Sequence, residues 1–539
     1  NVGDLTVQAN RLTQTNELTV RNRASVQATS VELFNESNDF QGDVALNVSG
    51  STKLNDANTL VVSGHVNGPT TLKAESIQQV NALSAEFSLT LHANQIALDN
   101  NANALNGLVR IEGKALTNKS TLRSQGKLAV EGANISDLKL VAKEAVLGDL
   151  GELQQLDVTA GKVTQRAALQ VQQQTLLNAD SITLNNAQND FVGEVTLAGK
   201  DSSIPEVSIA DKNSLNVQAV DLKLAAQVQG DFGLKAQNVV LNATTVAGGS
   251  NINLTGALTQ NEQVNLNNTV LKADSIALEN SGNRFGGTTQ LDSGKTIQMS
   301  TAGDLNADTG SSTGALSLNV GGNTTVKGAQ VVFAQSRLGG KLEVNANGIS
   351  QTDSLHVDGA VELNAVGGTI SLQHANNQFQ NAVSATAEQT DIAARGDLQV
   401  MNLMSRGGQI TADGQLVLLG NVEQTGGTLT FTAKGASRPL SSAGIAMLLP
   451  PALDVFSAKE AVDPITGLGR ITLASPAIHQ QSGQILTAAG SMTQFNSTEN
   501  GSIVLTKNNQ IKGQFAALSG KKYGQAYGYN PQQGASVFA

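Results

Sequence analysis

Four kinds of residue are scarce or missing in this chain of 539 residues. It has no cysteine and no tryptophan, its aromatic content is 3%, and its charged content is 14%. The absence of cysteine excludes disulfides and thiolate chemistry. With few rings to fill it, the core must be narrow and built from Val, Ile, Leu and Ala. Charged residues usually make up about 25% of a domain, so Asn, Gln, Ser, Thr and Gly must cover most of the surface.

The chain also lacks a basic surplus and long apolar runs. Its formal net charge is −10, which argues against nucleic acid and against anionic membrane surfaces as partners, because both attract basic proteins. The longest candidate for a membrane helix, Gly444–Phe456, is shorter than the roughly 18 residues needed and contains two prolines. The opening segment, NVGDLTVQAN, carries no signal-peptide pattern.

What the sequence does contain is alternation of apolar and polar residues. Val44, Leu46 and Val48 share one face of a short segment, and "GGTISLQ" has the same pattern. Such runs span four to six residues and are separated by Gly, Asn, Asp or Ser. Period-two alternation indicates half-buried strands, so the fold class is all-β.

A longer repeat recurs as an Asn-x-Phe-x-Gly box. It occurs at Asn38–Gly42, Asn189–Gly193 and Asn283–Gly287, with looser copies at Asn103–Gly107, Asn377–Asn381 and Asn509–Gly513. We interpret each box as a structural turn. Asn bends the chain through a left-handed conformation or a bond to its own backbone, Phe packs into the core, and Gly takes a backbone angle that other residues resist. The predicted turn residues are Asn38, Phe40, Gly42, Asn189, Phe191, Gly193, Asn283, Phe285 and Gly287.

The spacing of the boxes favours a β-solenoid over a sandwich or a barrel. Three consecutive intervals between boxes are 86, 94 and 94 residues. Each interval holds four or five coils of a three-sided β-helix, at roughly 18–25 residues per coil. We therefore expect about 25 coils in a rod.

Proline divides the carboxy-terminal part. Five of the eight prolines, Pro439, Pro450, Pro451, Pro464 and Pro476, fall where the alternation lapses, and proline cannot donate to a strand ladder. We predict solenoid repeats over 1–434, a proline-rich insertion or loop over 435–470, terminal coils over 471–519, and a Tyr/Gly-rich tail or cap over 520–539. Tyr523, Tyr527 and Tyr529 of that tail are the candidate partner-contact residues.

The strand starts "GDLTV", "GDLNA" and "GDLQV", the boxes and the "GGTISL" and "GGTLTF" turns resemble the repetitive β-helical region of filamentous haemagglutinin-type large exoproteins. The resemblance implies a right-handed parallel β-helix, two-partner secretion through an outer-membrane transporter of a Gram-negative bacterium, and a role in adhesion, biofilm or toxin presentation. The Asn-Pro-Asn motifs of the family's amino-terminal secretion domain have no counterpart here. We therefore expect an internal or carboxy-terminal part, or a divergent relative.

Patterns for catalysis or metal binding are weak. The histidines His65, His92, His356, His374 and His479 lack ligand spacing, and carboxylates are scattered along the sequence. We expect no enzyme activity, no cofactor and no metal. The rival hypothesis is a polysaccharide-processing β-helix, which requires clustered carboxylates; several carboxylates, alone or with Arg or Lys, on one face of adjacent coils would support it. The Arg-Gly-Asp tripeptide at Arg395–Asp397 is interpreted as part of a recurring Gly-Asp-Leu turn.

These observations lead to a functional hypothesis. We expect a secreted or cell-surface rod that mediates adhesion, biofilm formation or filament assembly. Its expected partners are the transporter during secretion, a cell-surface protein or glycan receptor, and other copies of itself through end-to-end association, because uncapped solenoid ends present strand edges. The alternatives are the stalk of a contact-dependent toxin-delivery exoprotein and the polysaccharide-processing enzyme.

Overall fold

The computed structural model describes residues 1–113, 118–433, 469–474, 477–480, 485–487, 492–497, 502–505, 509–511, 514–519 and 536–538. Tertiary contacts divide the chain into two units, Asn1–Asn267 (unit 1) and Asn268–Ala539 (unit 2). Both consist of short strands joined by tight corners. One single-turn 3-10 helix, Lys200–Ser202, occurs among the described residues.

Unit 1 contains the first 31 strands. Their bounds are β1 Leu5–Thr13, β2 Thr19–Val20, β3 Ala24–Leu33, β4 Asp39–Phe40, β5 Asp43–Val48, β6 Thr52–Asn55, β7 Thr59–Val66, β8 Thr70–Lys73, β9 Ser76–Gln78, β10 Leu83–Ala85, β11 Leu89–His92, β12 Gln95–Leu98, β13 Ala104–Leu105, β14 Leu108–Glu112, β15 Asn118–Arg123, β16 Lys127–Ala133, β17 Ile135–Val141, β18 Glu144–Leu147, β19 Glu152–Thr159, β20 Lys162–Gln165, β21 Gln170–Asn178, β22 Ser181–Leu184, β23 Asp190–Phe191, β24 Glu194–Ala198, β25 Glu206–Asp211, β26 Leu215–Ala219, β27 Asp221–Val228, β28 Phe232–Ala236, β29 Asn238–Leu241, β30 Thr244–Leu254 and β31 Ala257–Gln260.

Strand β32 (Val264–Lys272) contains the boundary between the units, and the described strands of unit 2 follow it. Their bounds are β33 Ser275–Leu278, β34 Arg284–Asp292, β35 Ile297–Thr301, β36 Leu305–Asp308, β37 Leu316–Val320, β38 Thr324–Phe333, β39 Ser336–Leu338, β40 Leu342–Gln351, β41 Leu355–Val357, β42 Val361–Leu372, β43 Gln378–Phe379, β44 Val383–Ala394, β45 Leu398–Ala412, β46 Leu416–Leu418, β47 Val422–Gln424, β48 Gly427–Ala433, β49 Gly469–Ala474, β50 Ala477–Gln480, β51 Ile485–Thr487, β52 Met492–Ser497, β53 Ser502–Leu505, β54 Gln510–Ile511, β55 Gln514–Ser519 and β56 Ser536–Phe538.

The strands stack as a right-handed parallel β-helix, as the fold-class prediction stated. Leu5 pairs with Ala24, Ala24 with Val44 and Val44 with Val62, so successive turns take 19, 20 and 18 residues. Every pairing is parallel except that of β53 with β56 among the described strands. Each strand thus receives main-chain hydrogen bonds from the turn before it and gives them to the turn after it.

The core consists of aliphatic side chains stacked in register. One column places a Leu or Val at the same inward position on six successive turns, each at most 2% exposed: Leu98, Leu122, Leu140, Val158, Leu177 and Leu197. The alternation seen in the sequence explains this arrangement, because residues at period two point to the same side of a strand. Apolar burial of this kind is the main favourable contribution to folding.

The number of turns is about 22, not about 25, so the predicted count was wrong. The shortfall arises because several turns are longer than the regular ones. Ser181 pairs with Glu206, a turn of 25 residues, because the segment Gly199–Pro205 leaves the ladder between β24 and β25. Residues spent in such excursions add chain length without adding turns.

Much of the predicted carboxy-terminal organisation falls on residues that are not described. Within the predicted insertion 435–470, residues 435–468 lie outside the described residues, and β49 begins at Gly469. Within the predicted tail 520–539, only Ser536–Phe538 is described, as β56. In the described part of the chain, no helix has the length and apolar character of a membrane span.

The core column gives a stability prediction. Leu140 is fully buried, whereas its neighbour Lys139 is exposed and forms an ion pair with Asp157. Leu140→Ala should lower the free energy of unfolding of unit 1 by about 2–5 kcal/mol, because a cavity replaces a packed side chain. Lys139→Ala, which removes only an exposed ion pair, should change it by less than about 1 kcal/mol. Urea denaturation followed by circular dichroism measures both, and equal effects would contradict the stacked core.

Candidate functional site

The Asn-x-Phe-x-Gly box forms a corner of the solenoid, and the copy at Asn189 shows its construction. Just before the box, the side-chain Oδ1 of Asn186 accepts a hydrogen bond from the main-chain N–H of Gln188, at 3.0 Å. The main-chain N–H of Asn189 then donates to the carbonyl of Asn186, also at 3.0 Å. The first asparagine therefore makes the turn through its own backbone, a role that asparagine commonly has.

The second asparagine has a different role. The side chain of Asn189 is fully buried. Its Nδ2 donates to the carbonyl of Leu184 at 2.9 Å, and its Oδ1 accepts from the main-chain N–H of Leu169 on the preceding turn, at 2.9 Å. The same amide exchanges two hydrogen bonds with the side-chain amide of Gln165, at 2.8 and 3.0 Å. One buried side chain thus satisfies main-chain groups on two turns.

The arrangement recurs in the other described corners. Asn38 pairs with Gln14, Asn103 with Gln79 and Asn377 with Gln351, each through two side-chain hydrogen bonds of 2.7–2.8 Å. Each of these asparagines also donates to the carbonyl five residues before it, on Leu33, Leu98 and Leu372 respectively. In unit 2, Asn283 is fully buried and donates to the carbonyl of Leu278 at 3.1 Å. These boxes are therefore variants of one corner.

The glutamines were missed by the sequence analysis, although a signal for them exists. Each of Gln14, Gln79, Gln165, Gln260 and Gln351 has an apolar residue two positions before it and a Leu or Val four positions after it. The pattern stands 23 to 26 residues before the buried asparagine. That distance is about one turn plus the corner, so the pairing becomes apparent only when the length of a turn is known.

Two details of the predicted turn were wrong. None of Asn38, Asn189 and Asn283 has a positive φ, because their side chains point inward and the preceding asparagine makes the turn. Of the three box glycines, only Gly287 has a positive φ, of 67°. Gly42 and Gly193 are required for a different reason: a Cβ there would lie 1.4 Å from the carbonyl oxygen of Asn22 or 1.2 Å from that of Gln173. Close approach of the preceding turn excludes a side chain.

The aromatic residue of each box is buried as a core residue. Phe40 and Phe191 are 1% exposed and Phe285 is 6% exposed. On the following turn, the Oδ2 of Asp56 accepts from the main-chain N–H of Phe40, and that of Asp211 accepts from Phe191, both at 2.7 Å. Burial raises the pKa of both carboxyl groups above the ordinary range, although these main-chain donors counteract part of the effect.

The Gly-Asp-Leu turns have a related function in stacking. The Oδ1 of Asp304 accepts from the main-chain N–H of Asn323 at 2.7 Å, and that of Asp397 accepts from Gln415 at 2.8 Å. Asp397 belongs to the Arg-Gly-Asp tripeptide, where Gly396 has φ 106° and Arg395 is exposed. The carboxylate of this tripeptide therefore bonds to the next turn of the solenoid.

The remaining candidates are not brought together by the described structure. Tyr523, Tyr527 and Tyr529 lie outside the described residues. Within the ranges given above, no group of three or more His, Asp and Glu is placed to hold a metal ion. His92 pairs with Glu112 and His356 with Asp358, through contacts of 2.9 and 2.7 Å. Each of these histidines has one acidic partner, which is an ion-pair arrangement.

A groove on unit 1 gathers charged side chains that are scattered in the sequence. It encloses about 630 Å³ and is lined by Lys73, His92, Arg110, Glu112, Gly113, Glu131, Gly132, Ala133, Asn134 and Asp149. The strand register places the six charged or titratable residues on five successive turns, since Lys73 lies beside His92 and His92 beside Glu112. Arg110 Nε donates to Glu131 Oε1 at 2.8 Å across the next pair of turns. We call this surface the charged groove.

The comparisons with known proteins match the repeat and nothing larger. A family described as repeats of unknown function (DUF5649) matches residues 1–47, 49–112, 135–198, 229–292 and 321–386, which together make up more than half of the chain. Each matched segment ends nine residues after a buried asparagine: Asn38, Asn103, Asn189, Asn283 or Asn377. The repeat of the family thus coincides with the corner. No curated protein and no solved structure matches the chain.

The corner gives a prediction about one amide group. Asn189→Asp keeps the shape of the side chain but replaces its donor with an oxygen that faces the carbonyls of Leu184 and Ala210. The free energy of unfolding of unit 1 should fall by at least about 3 kcal/mol, since buried acceptors lose their donor. Asn185→Asp, at an exposed position in the same corner, should change it by less than about 0.5 kcal/mol. Urea denaturation compares the two, and similar losses would remove the special role of Asn189.

The buried carboxyl groups give a prediction about pH. Because the pKa values of Asp56 and Asp211 are raised in the folded state, the folded chain binds more protons than the unfolded chain above the ordinary Asp pKa of about 3.9. Their contribution to stability is complete below that value and is lost as the pH rises through the raised pKa. The stability of the wild type relative to Asp56→Asn/Asp211→Asn should therefore decrease as the pH increases from about 4.

Urea denaturation of both proteins between pH 3.5 and 8 measures this difference. The single variants Asp56→Asn and Asp211→Asn should each remove about half of the pH dependence. A difference that is constant with pH, or that increases with pH, would contradict the raised pKa values.

Proposed function

The chain belongs to the DUF5649 family of repeats of unknown function, and from that premise we propose that it is a non-enzymatic extracellular β-solenoid scaffold of a Gram-negative bacterium. Its role is adhesion, biofilm formation or filament assembly at the cell surface. The resemblance to filamentous haemagglutinin-type exoproteins supports this class, as does an uncharged polar surface on a chain without cysteine. Secretion through an outer-membrane transporter belongs to the same proposal.

One observation carries the proposal: the repeats share their buried residues and differ in their outward ones. The asparagine of the corner is buried in every matched segment, whereas the residue after it is Asp39, Ala104, Asp190, Arg284 or Gln378. An architecture that fixes its interior and varies its surface suits the display of contact surfaces along successive turns. Binding through several weak contacts then gains from avidity.

Two alternatives belong to other classes. The first is the stalk of a contact-dependent toxin-delivery exoprotein, which has the same scaffold and differs in what it carries. The second is a polysaccharide-processing enzyme, and the charged groove favours it over other enzymatic alternatives. Glu112, Glu131 and Asp149 lie there with Arg110 on adjacent turns, and glycoside hydrolysis uses a pair of carboxylates several ångströms apart.

Attachment of coated beads tests the scaffold proposal. Beads carrying the folded chain should bind to epithelial cells or to a bacterial biofilm at least about tenfold more often than beads carrying the same density of heat-unfolded chain, because multivalent display multiplies weak contacts. Counting attached beads under flow gives the ratio. Equal attachment of the two bead types on every surface, with no assembly of the chain in sedimentation, would overturn the proposal.

A further inference from the structure

We propose that the charged groove is a binding site for a neutral, hydroxyl-rich polysaccharide that lies along the stacked turns. The inference deepens the proposed function, on which it rests in one respect: it supplies the receptor class of an adhesion scaffold. Half of the ten lining residues are Lys, Arg, Asp or Glu, whereas such residues make up 14% of the chain. The groove therefore concentrates the side chains that this sequence uses least.

The spacing of the charged side chains fits a linear ligand. They come from five successive turns, from Lys73 at one end to Asp149 at the other. Four intervals of about 4.8 Å between parallel strands give a site roughly 19 Å long. At its centre, Gly132 and Ala133 form a shallow floor where the preceding turns present Arg110 and Glu112. A chain of several sugar units can lie on such a floor between charged walls.

The chemistry of the walls favours sugar hydroxyls. Donors and acceptors alternate along the groove, because Arg110 and His92 lie beside Glu131 and Glu112. Each hydroxyl of a sugar is both a donor and an acceptor, so it can bond to either member of such a pair. No aromatic side chain lines the groove, so the recognition relies on hydrogen bonds rather than on ring stacking.

The charge balance selects a neutral ligand over a polyanion. The groove holds three carboxylates, Glu112, Glu131 and Asp149, against the cations Lys73 and Arg110. Lys73 also forms an ion pair with Glu36, and Arg110 forms one with Glu131. Since the whole chain has a net charge of −10, an acidic polysaccharide is repelled at long range.

The backbone beside the floor supports a site rather than an ordinary face. Asn134 has φ 58°, a conformation uncommon outside glycine, and its Nδ2 donates to the carbonyl of Gly113 at 3.2 Å. Asp149 follows Gly148 in a Gly-Asp-Leu turn, yet its Oδ1 accepts from Gly151 in the same loop at 3.2 Å. Asp304 and Asp397 use the same atom to bond to the next turn.

A matched pair of double variants tests the proposal. Arg110→Gln/Glu131→Gln removes the ion pair at the centre of the groove. Lys139→Gln/Asp157→Asn removes a similar cross-turn pair elsewhere on unit 1, with side-chain exposures of 53% and 29% against 54% and 27%. Both changes leave the net charge unaltered and remove one exposed ion pair, so they should have similar effects on stability. Circular dichroism and thermal melting of the full chain check this.

Isothermal titration with soluble neutral glucans, dextran and laminarin, measures binding to the full chain. The wild type should bind at least one of them, the groove variant should bind at least tenfold more weakly, and the control variant should stay within twofold of the wild type. Binding to neither glucan, binding to the polyanions alginate or heparin alone, or equal weakening by the two variants would overturn the proposal. Release of reducing ends that Glu112→Gln abolishes would support the glycan assignment and overturn the non-enzymatic part of the proposed function.

The two proposals fail in different ways. If the groove variant loses glucan binding but its beads attach to cells as the wild type does, the groove is a glycan site and the scaffold has another receptor. If wild-type beads fail to attach while glucan binding persists in solution, the scaffold proposal fails and the groove assignment stands. If glucan binding is absent and attachment is intact, only the groove assignment fails.

Discussion

The structure depends on a single constraint: each turn must satisfy its main-chain hydrogen-bonding groups on the turns before and after it, in a fixed register. Along a strand, the parallel ladder meets this requirement without help from side chains. At a corner the ladder is interrupted, and the N–H of Leu169 and the carbonyl of Leu184 lose their ladder partners. The buried amide of Asn189 satisfies both. An unsatisfied buried group costs about 1–3 kcal/mol, so the corner needs such a side chain.

The requirement at a corner is for a hydrogen-bonding group of the right kind, which leaves room for chemical variation. On the turn after the box, the N–H of Phe40 or Phe191 bonds to an aspartate, whereas that of Leu105 bonds to the hydroxyl of Ser124 at 3.0 Å. Both side chains offer an acceptor at the same place. The aspartates carry a penalty that the serine avoids, because burial disfavours a charged carboxylate. Their raised pKa values are a consequence of the stack rather than a sign of catalysis.

The fold was predictable from the sequence to the extent that it depends on local patterns. Alternation at Val44, Leu46 and Val48 identifies strands, and the spacing of the boxes identifies a repeating unit. The role of Asn189 was not predictable from the box alone, because its partner Gln165 stands 24 residues earlier and meets it only through the length of one turn. The same reason hid the need for Gly193, whose neighbour Gln173 lies on the preceding turn. The candidate groove was less accessible still, since its register depends on every turn between Lys73 and Asp149.

These considerations indicate where function is to be sought in a chain of this kind. A residue that the stack requires, such as Asn189 or Asp397, has its polar atoms engaged by neighbouring turns and is therefore poorly placed to recognise a ligand. The informative positions are those that depart from the stacking rule without a structural need. Asn134 has a positive φ, and Asp149 bonds within its own loop although its counterparts bond to the next turn. Both lie in the charged groove, which is why the groove, rather than the repeated box or the Arg-Gly-Asp tripeptide, is the part of unit 1 to which we assign ligand binding.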